Sequence, residues 1–469
     1  MTPLRKDRTG LTRTSALAWL ERRINYERVV PSAANGAAFG LARMRQLLAA
    51  VGAPHKQFPV VHVAGTKGKG STVAMIAAVL VEAGYVAGRY MSPHVHSIEE
   101  RIAVNGRPIS SADLVAAFTT VIPAVDAIDR AAVGRGTSVP TWFEVMTAIA
   151  MVHFARKRVS IAVLETGLGG RLDATRVSEP LLSIITSISF DHMALLGNSL
   201  AQIAGEKAGI IKRGCPVISG VLAPTARKVI AATASRRRAP LLQLGRDFHA
   251  THRPCGSSPE ATLLGGMLDM GVVAGAQATS PHTYRVGMPG QHQAINAALA
   301  IVAAQQLGRL GFPVPLPAIL RGIEKVHLPA RIETLSQRPL VVVDAAHNVA
   351  SMQTLIETLT PILERVRPRV LVFAASADKQ MAAMLATATQ RFDRVVVTRY
   401  ATNPRAATIE QLLAACRTAG LPQPLAADSP ALALRKARSL AGPRGFVCIA
   451  GSFFLASEIS NHSATIDAC

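Results

Sequence analysis

The chain has 469 residues, 49% hydrophobic and 17% charged, and its 51 Lys and Arg against 29 Asp and Glu give a formal charge of +22. At roughly 150 residues per domain this length predicts two or three domains, and the composition excludes global disorder. So large an excess of cations points first to polyanionic partners: nucleic acid, an anionic membrane or phosphorylated substrates.

Cys215, Cys255, Cys416, Cys448 and Cys469 are far apart and form no C-x-x-C pair. That pattern fits neither a disulfide framework nor a zinc site and predicts a reducing, cytoplasmic setting. Residues 1–28 alternate Arg and Lys with Leu, Ala and Trp and have no secretory apolar core. Trp19, Leu20 and Tyr26 are expected on one face of an amphipathic helix. No run of 18 or more uncharged apolar residues occurs, so no membrane span is expected.

In chain order, residues 59–64 (PVVHVA) read as a buried strand, 65–70 as a glycine-rich turn and 71–83 as a helix. A helix over 142–157, strands at 160–165 and 181–188, a helix over 199–209 and a strand from 216 follow. Such alternation predicts parallel βαβ units. Residues 246–284, rich in Gly, Ser, Thr, Pro and His, break it and suggest β-hairpins. An Ala-rich helix spans 291–307, and the prolines within 311–329 suggest a connector. A second βα series has strands at 340–344, 370–374, 394–398 and 445–450, with helices that include 380–391 and 409–419.

The strongest motif is VVHVAGTKGKGST, residues 60–72. Gly65, Gly68 and Gly70 let the backbone approach a ligand, and the helix start then faces a phosphate. Lys69 is placed for the β/γ-phosphates and Ser71 or Thr72 for Mg²⁺. The spacing departs from the usual P-loop, because Gly70 separates Lys69 from Ser71. In LETGLGGRLDAT, Glu165 ends a strand at the rim where open α/β sheets place ligands, and its carboxylate suits a hard cation. The bland alternative is a Glu165–Arg171 salt bridge. In ITSISFDH, Asp191 and His192 end the next strand, and His192 converges with Glu165 if the two strands are neighbours. EKAGIIK carries Lys207 and Lys212, an ordinary surface pattern by itself. VVVDAAHN places Asp344, His347 and Asn348 after a strand, where Asp can hold a ribose hydroxyl, His can donate to a phosphate, or either Asp344 or Asn348 can cap a helix. Asp378, Lys379, Gly451 and Ser452 also follow strands of this half, which suggests one functional edge.

Together these motifs, with SPH (residues 92–94), ERIAVNG (100–106), TWFEVMTAIA (141–150), PGQHQAINAALA (289–300) and LPARIE (328–333), resemble the folylpolyglutamate synthase/dihydrofolate synthase family, a branch of the Mur-type ATP-dependent amide ligases. The match keeps motif order from about residue 18 to 458. The resemblance implies an α/β protein with a P-loop-containing, Mur-ligase-like ATPase domain (1–327) and a smaller Rossmann-like C-terminal domain (328–469). It implies ATP held by Gly65, Thr66, Lys67, Gly68, Lys69, Gly70, Ser71, Thr72, Asn296, Arg331 and Asp344. One Mg²⁺ falls to Ser71 and Glu165, and a second to His192 with a carbamylated Lys207. Lys69, Lys207 and His347 carry the catalytic roles. Ser92, Pro93 and His94 line the pterin or folate pocket, and Arg171, Asp173 and Ser452 are assigned to substrate. The implied partners are dihydropteroate or tetrahydrofolate and L-glutamate, acted on by a monomer without nucleic acid or membrane.

Departures from the family pattern are Lys67 for Asn, Gln291 for Arg, Ala330 for Gly, Ala345 for Gly and Val349 for Pro. Gln291 loses a bidentate donor, and Ala330 is expected to need an ordinary backbone conformation. Two rival readings are a Mur-type ligase with a different acceptor and a nucleic-acid-binding P-loop ATPase. Aromatics make up only 4% of the chain and do not interleave with the basic residues, which disfavours the latter.

Overall fold

The structure, a computed structural model, describes residues 10–29, 40–133, 138–256, 258–272, 282–421 and 423–466. The outermost residues 1–9 and Cys469 lie outside them, as do parts of the 246–284 stretch.

The first sheet has eight strands. Their order is Arg107–Pro108, Ile102–Val104, Ala87–Tyr90, Ile161–Glu165, Val60–Ala64, Pro180–Ile185, Val217–Ser219 and Leu241–Gln243. The six from Ala87–Tyr90 onward are parallel, and a short antiparallel hairpin closes one edge. Every residue of Val60–Ala64 and Ile161–Glu165 is buried, because helices cover both faces. Val61 and Val63 face a cluster built with helices Lys69–Glu82, Gln291–Arg309 and Leu316–Lys325. Val60 packs on the other face with Leu41–Ala50, Ser111–Val133 and Trp142–Arg156. His62 points the same way and bonds Thr175 Oγ1 at 2.8 Å; burial pulls the imidazole down to about 3, so it is neutral.

The second sheet has six strands, ordered Glu333–Gln337, Leu340–Val343, Phe446–Ala450, Arg369–Phe373, Arg394–Thr398 and Leu425–Ala427. Its one antiparallel pair is at the Glu333–Gln337 edge. Clusters on its two faces again come from flanking helices. The irregular stretch supplies strands Phe248–Pro254, Gly266–Val272 and His282–Val286, a three-stranded antiparallel sheet that agrees with the hairpin expectation.

Several elements differ from the sequence expectation. The proline-rich connector contains helix Leu316–Lys325, with Pro317 in its first turn, where proline's missing N–H costs nothing. Helix Met381–Ala386 is half the expected length. Tyr26 lies beyond helix Arg13–Leu20 and shares no helical face with Leu20. Helix Ser111–Val133 includes a stretch long and apolar enough to cross a membrane, a test the run-length criterion missed because Asp and Thr interrupt it. Here its apolar residues Leu114, Phe118, Val121 and Val125 are buried against Trp142–Arg156.

Gly322 packs directly on helix Lys69–Glu82: a Cβ there would stand 2.6 Å from the Val79 Cα. Gly322→Val should therefore overpack this contact by about 1–3 kcal/mol. The expected readout is a lower thermal unfolding midpoint, and an unchanged midpoint would show that the two helices separate freely.

Candidate active site

The loop after Val60–Ala64 is held too tightly for side chains at two positions. Gly65 (φ 153°) lies against Thr186, and Gly68 (φ 82°) against the Asn296 carboxamide; a Cβ on either would overlap them. Residues 186–189, at the end of the adjacent strand, fasten the loop. The Lys67 carbonyl accepts from Thr186 Oγ1 (2.6 Å) and Ser187 Oγ (3.0 Å), and the Thr66 N–H donates to the Ser187 carbonyl at 2.7 Å. Helix Lys69–Glu82 starts directly from Gly68 with no side-chain cap. Its first N–H groups and positive dipole end are thus left for an anion.

Glu165 and His192 follow strands that are not neighbours: the Val60–Ala64 strand runs between them. Both strands still end at one rim. Glu165 is 3% exposed, lies 3.7 Å from Lys69 Nζ, and accepts from the Ser92 N–H at 3.1 Å. Burial pushes its carboxyl up, opposed by Lys69, Ser92 and Arg331. Gly70 packs against the same carboxylate, one residue before Ser71, and the nearby hydroxyls of Thr72 and Thr166 are buried without partners. Buried oxygen donors with unmet bonds fit a hard cation such as Mg²⁺. Among the described residues no group of three His, Cys, Asp or Glu forms a ready-made cage. His192 has a left-handed backbone (φ 49°) and a side chain 46% exposed, 3.9 Å from Asp191.

Lys207 is buried and donates to the Gly65 carbonyl at 2.8 Å. Burial, reinforced by Lys69, pulls its ammonium down to about 7. A large neutral fraction at neutral pH follows, and the neutral amine is the form that adds carbon dioxide.

Asp191 joins the two sheets. Its carboxylate contacts Lys67 Nζ (3.2 Å) and Lys379 Nζ (3.4 Å) and accepts from Asn348 Nδ2 (3.2 Å). Despite burial, these cations hold it far below the usual carboxylate range. Lys67 also meets His347 Nε2 at 2.8 Å. His347 Nδ1 lies 2.9 Å from the Ala345 carbonyl, which can only accept. With burial keeping the ring neutral, the proton sits on Nδ1 and Nε2 accepts from Lys67. Burial lowers Lys67 to about 8, with Asp191 opposing.

Arg331 stacks on Phe453, 4.7 Å from the ring centre, and the other neighbour of that ring is His347. Asp344 accepts from the Ile332 and Ala346 N–H groups at 2.9 and 2.8 Å, and burial pushes it up to about 6. Ala330 does not take the ordinary conformation expected of it. Its φ is 53°, and its N–H and carbonyl are pinned by Glu333 and Ala345. The tightness of this turn, which glycine would accept without strain, overrides alanine's preference.

In the SPH segment, His94 Nδ1 accepts from Arg101 Nε at 2.8 Å, leaving the proton of the neutral ring on Nε2. Burial, with Arg101 assisting, lowers the ring to about 4. Arg101 is buried, paired with Glu27 at 2.6 Å and stacked on Trp142. Ser452 accepts from the Phe454 N–H at the start of the last helix. Arg171 and Asp173 are both occupied, the first by helix Leu200–Ala208 and the second within its own loop. Arg171 pairs with Glu206, not with Glu165, and Asp173 caps the turn through Thr175 and Leu168. Sequence reasoning left Glu27, Arg101, Asp191, Lys379 and Phe453 without assigned roles, although Arg101 and Asp191 lie inside its motifs.

An α/β protein with two mainly parallel sheets and a glycine loop ringed by lysines suits an ATP-dependent ligase. The profile of the Mur ligase middle domain matches residues 63–304, and that of the Mur ligase glutamate ligase domain matches residues 330–453. The chain belongs to the Mur ligase family, in its folylpolyglutamate synthase/dihydrofolate synthase branch. It is 40% identical over 372 residues to the dihydrofolate synthase/folylpolyglutamate synthase of Bacillus subtilis, covering 78% of this chain and 80% of that one. Mycobacterium tuberculosis folylpolyglutamate synthase, solved with ADP and AMPPCP, superposes with a TM-score of 0.84 at 32% identity, over 96% of this chain and 99% of that one. E. coli FolC in complex with DHPP and ADP gives a TM-score of 0.79 at 29% identity, over 99% of both chains.

Gly68→Ala should abolish detectable ADP binding by calorimetry while leaving the circular dichroism spectrum intact, since the new methyl meets Asn296 and φ 82° is strained. Lys207 supplies a second expectation. Its depressed value means the unfolded chain binds more protons than the folded one between about pH 7 and 10.5, so its cost to stability falls as pH rises through that window. Lys207→Met should therefore be stabilised relative to wild type near pH 7, with an advantage that shrinks as pH rises and is gone only near pH 10.5, in urea unfolding. A gap independent of pH would count against the buried, partly neutral amine.

Proposed function

We propose that this chain is an ATP-dependent ligase that joins L-glutamate to the carboxylate of dihydropteroate, a tetrahydrofolate, or both, acting as a monomer because one chain carries every proposed site residue. The observation that carries this reading is the Lys67–Asp191–Lys379 cluster, which brings the rim of the second sheet onto an uncapped, glycine-lined helix start.

A carboxylate is a poor electrophile, and phosphorylation makes it reactive. The acceptor carboxylate attacks the γ-phosphoryl group in line, giving an acyl phosphate and ADP. The loop N–H groups, Lys69, Lys67 and Lys379 offset the charge that gathers there. The neutral amine of glutamate then adds to the acyl carbon, and phosphate leaves from the tetrahedral intermediate. His347 presents its Nε2 lone pair near this rim, where Lys67 now occupies it. Mg²⁺ held by Ser71 and Glu165, with His192 and a carbamylated Lys207 for a second ion, would supply Lewis-acid neutralisation of the phosphates. Asn296 and Arg331 face the nucleotide side, and Asp344 orders the turn that carries Arg331 while accepting a ribose hydroxyl. His94, neutral and fixed by Arg101, offers Nε2–H to the pterin. Arg171, Asp173 and Ser452 shape the loops around this pocket. Closure of the two halves excludes the water that would hydrolyse the acyl phosphate. We assign residues 1–327 and 328–469 as the two functional domains, meeting at this cleft.

The test is an ATP- and glutamate-dependent assay with dihydropteroate and tetrahydrofolate run in parallel. Turnover with at least one is expected, and Lys69→Ala should lower kcat by about 10²–10³. Turnover with neither would indicate a different acceptor.

A further inference from the structure

The C-terminal half of helix Lys69–Glu82 borders a cavity of about 220 Å³ that the reading above does not use. Its apolar floor is alanine and valine of that helix, and its polar wall is Glu82, Arg89, Asn105, Lys325 and His327. At 1.5 Å per residue, its lining on this helix, Ala74 to Glu82, lies about 8 to 20 Å from Lys69, and no residue of the glycine loop lines it.

The wall is rich in donors and poor in acceptors. Arg89 extends from strand Ala87–Tyr90, and its Nε is buried with no hydrogen-bond partner. Burial lowers its guanidinium, opposed by Glu100 alone, whose oxygens are already taken by the Val95, His96 and Ser97 N–H groups. A guanidinium cannot escape this cost by losing its proton at ordinary pH. Glu82, the one carboxylate in the wall, is bonded to Arg321 and Lys325, both at 2.7 Å. That three-residue network carries one net positive charge. The side-chain oxygen of Asn105 accepts from the Ala87 N–H, which leaves its NH₂ to donate. The negative end of the helix dipole near Glu82 opposes an anion, but the Arg89 guanidinium, whose Nε has no hydrogen-bond partner, and the Lys325 ammonium in the wall favour one.

We propose that this cavity is a second anion site, which takes a small dianion through a phosphate or carboxylate group held by Arg89. A planar guanidinium binds either group bidentately, and the volume admits a molecule of a few heavy atoms beyond it. The occupant bridges the P-loop helix, the edge hairpin through Asn105, and the segment at His327 that leads into the second sheet.

The test uses enzyme saturated with Mg·ADP, so that the glycine loop is filled. Thermal unfolding is followed against rising inorganic phosphate, and separately glutarate, at ionic strength matched with chloride. A midpoint rise of about 2 °C or more, growing with the logarithm of anion concentration, is expected from wild type with at least one probe. Arg89→Met should abolish the rise, and Arg89→Lys should retain part of it. A response to phosphate alone assigns a phosphate ligand, and a response to glutarate alone a dicarboxylate. Equal rises in wild type and Arg89→Met, or no rise with either probe, would overturn the site. If Arg89→Met does not fold, His327→Ala takes its place, and an undiminished rise there has the same adverse meaning.

Discussion

The constraint on which the rest of this molecule depends is the lack of room beside the loop of residues 65–70. The backbone at Gly65 and Gly68 approaches Thr186 and Asn296 so closely that no side chain fits. That closeness lets the main chain present bare N–H groups at the start of Lys69–Glu82. It also requires the 186–189 segment and helix Gln291–Arg309 to lie where they do, because these supply the walls. The flanking strands follow from the same requirement. Glu165 ends on one side of the loop strand and the 186–189 fasteners on the other, so the order of the central strands is also the layout of the site.

Asp191 plays a comparable role between the two sheets. A carboxylate buried at an interface is stable only when opposite charges and donors surround it. Lys67 comes from the loop, and Lys379 and Asn348 come from the far sheet, so burying Asp191 brings the two halves together. Lys67 stands where the family resemblance leads to an expectation of Asn. It adds a cation at the junction and a donor to His347, so this position couples the loop to the second sheet more strongly than a neutral amide would.

The charge excess has a partial structural account. Lys67, Lys69, Lys207, Lys379 and Arg331 lie around the glycine loop among fewer carboxylates, a positive potential that favours anions and weakens with salt. Arg101 and Arg369 are buried in pairs with Glu27 and Asp393 and serve the fold. The tight basic run Arg236–Arg238 is an exposed helix end. Other surface cations, such as Arg253, Arg321 and Lys325, pair with Asp269 or Glu82, which explains their placement and not the excess.

Local signals determined a good deal from sequence alone. Buried β-branched runs fixed the central strands, and glycines followed by Lys69, Ser71 and Thr72 marked the anion-binding turn, because period and backbone freedom are properties of short segments. The alternation of strand and helix likewise announced two α/β halves. Tertiary structure decided what depends on distant partners. Helix Leu316–Lys325 lies in a stretch that prolines made look irregular, since docking on Val79 rewards a helix there. Ala330 takes a left-handed turn because Glu333 and Ala345 pin it. Arg171 and Asp173 read as site residues, and in the fold Arg171 pairs with Glu206 of a neighbouring helix while Asp173 caps its own turn, whereas Asp191 and Arg101 gain importance from Lys379 and Glu27, 188 and 74 residues away. A sequence pattern records which groups a segment offers, and only the folded chain determines which of them are already spoken for by a neighbour.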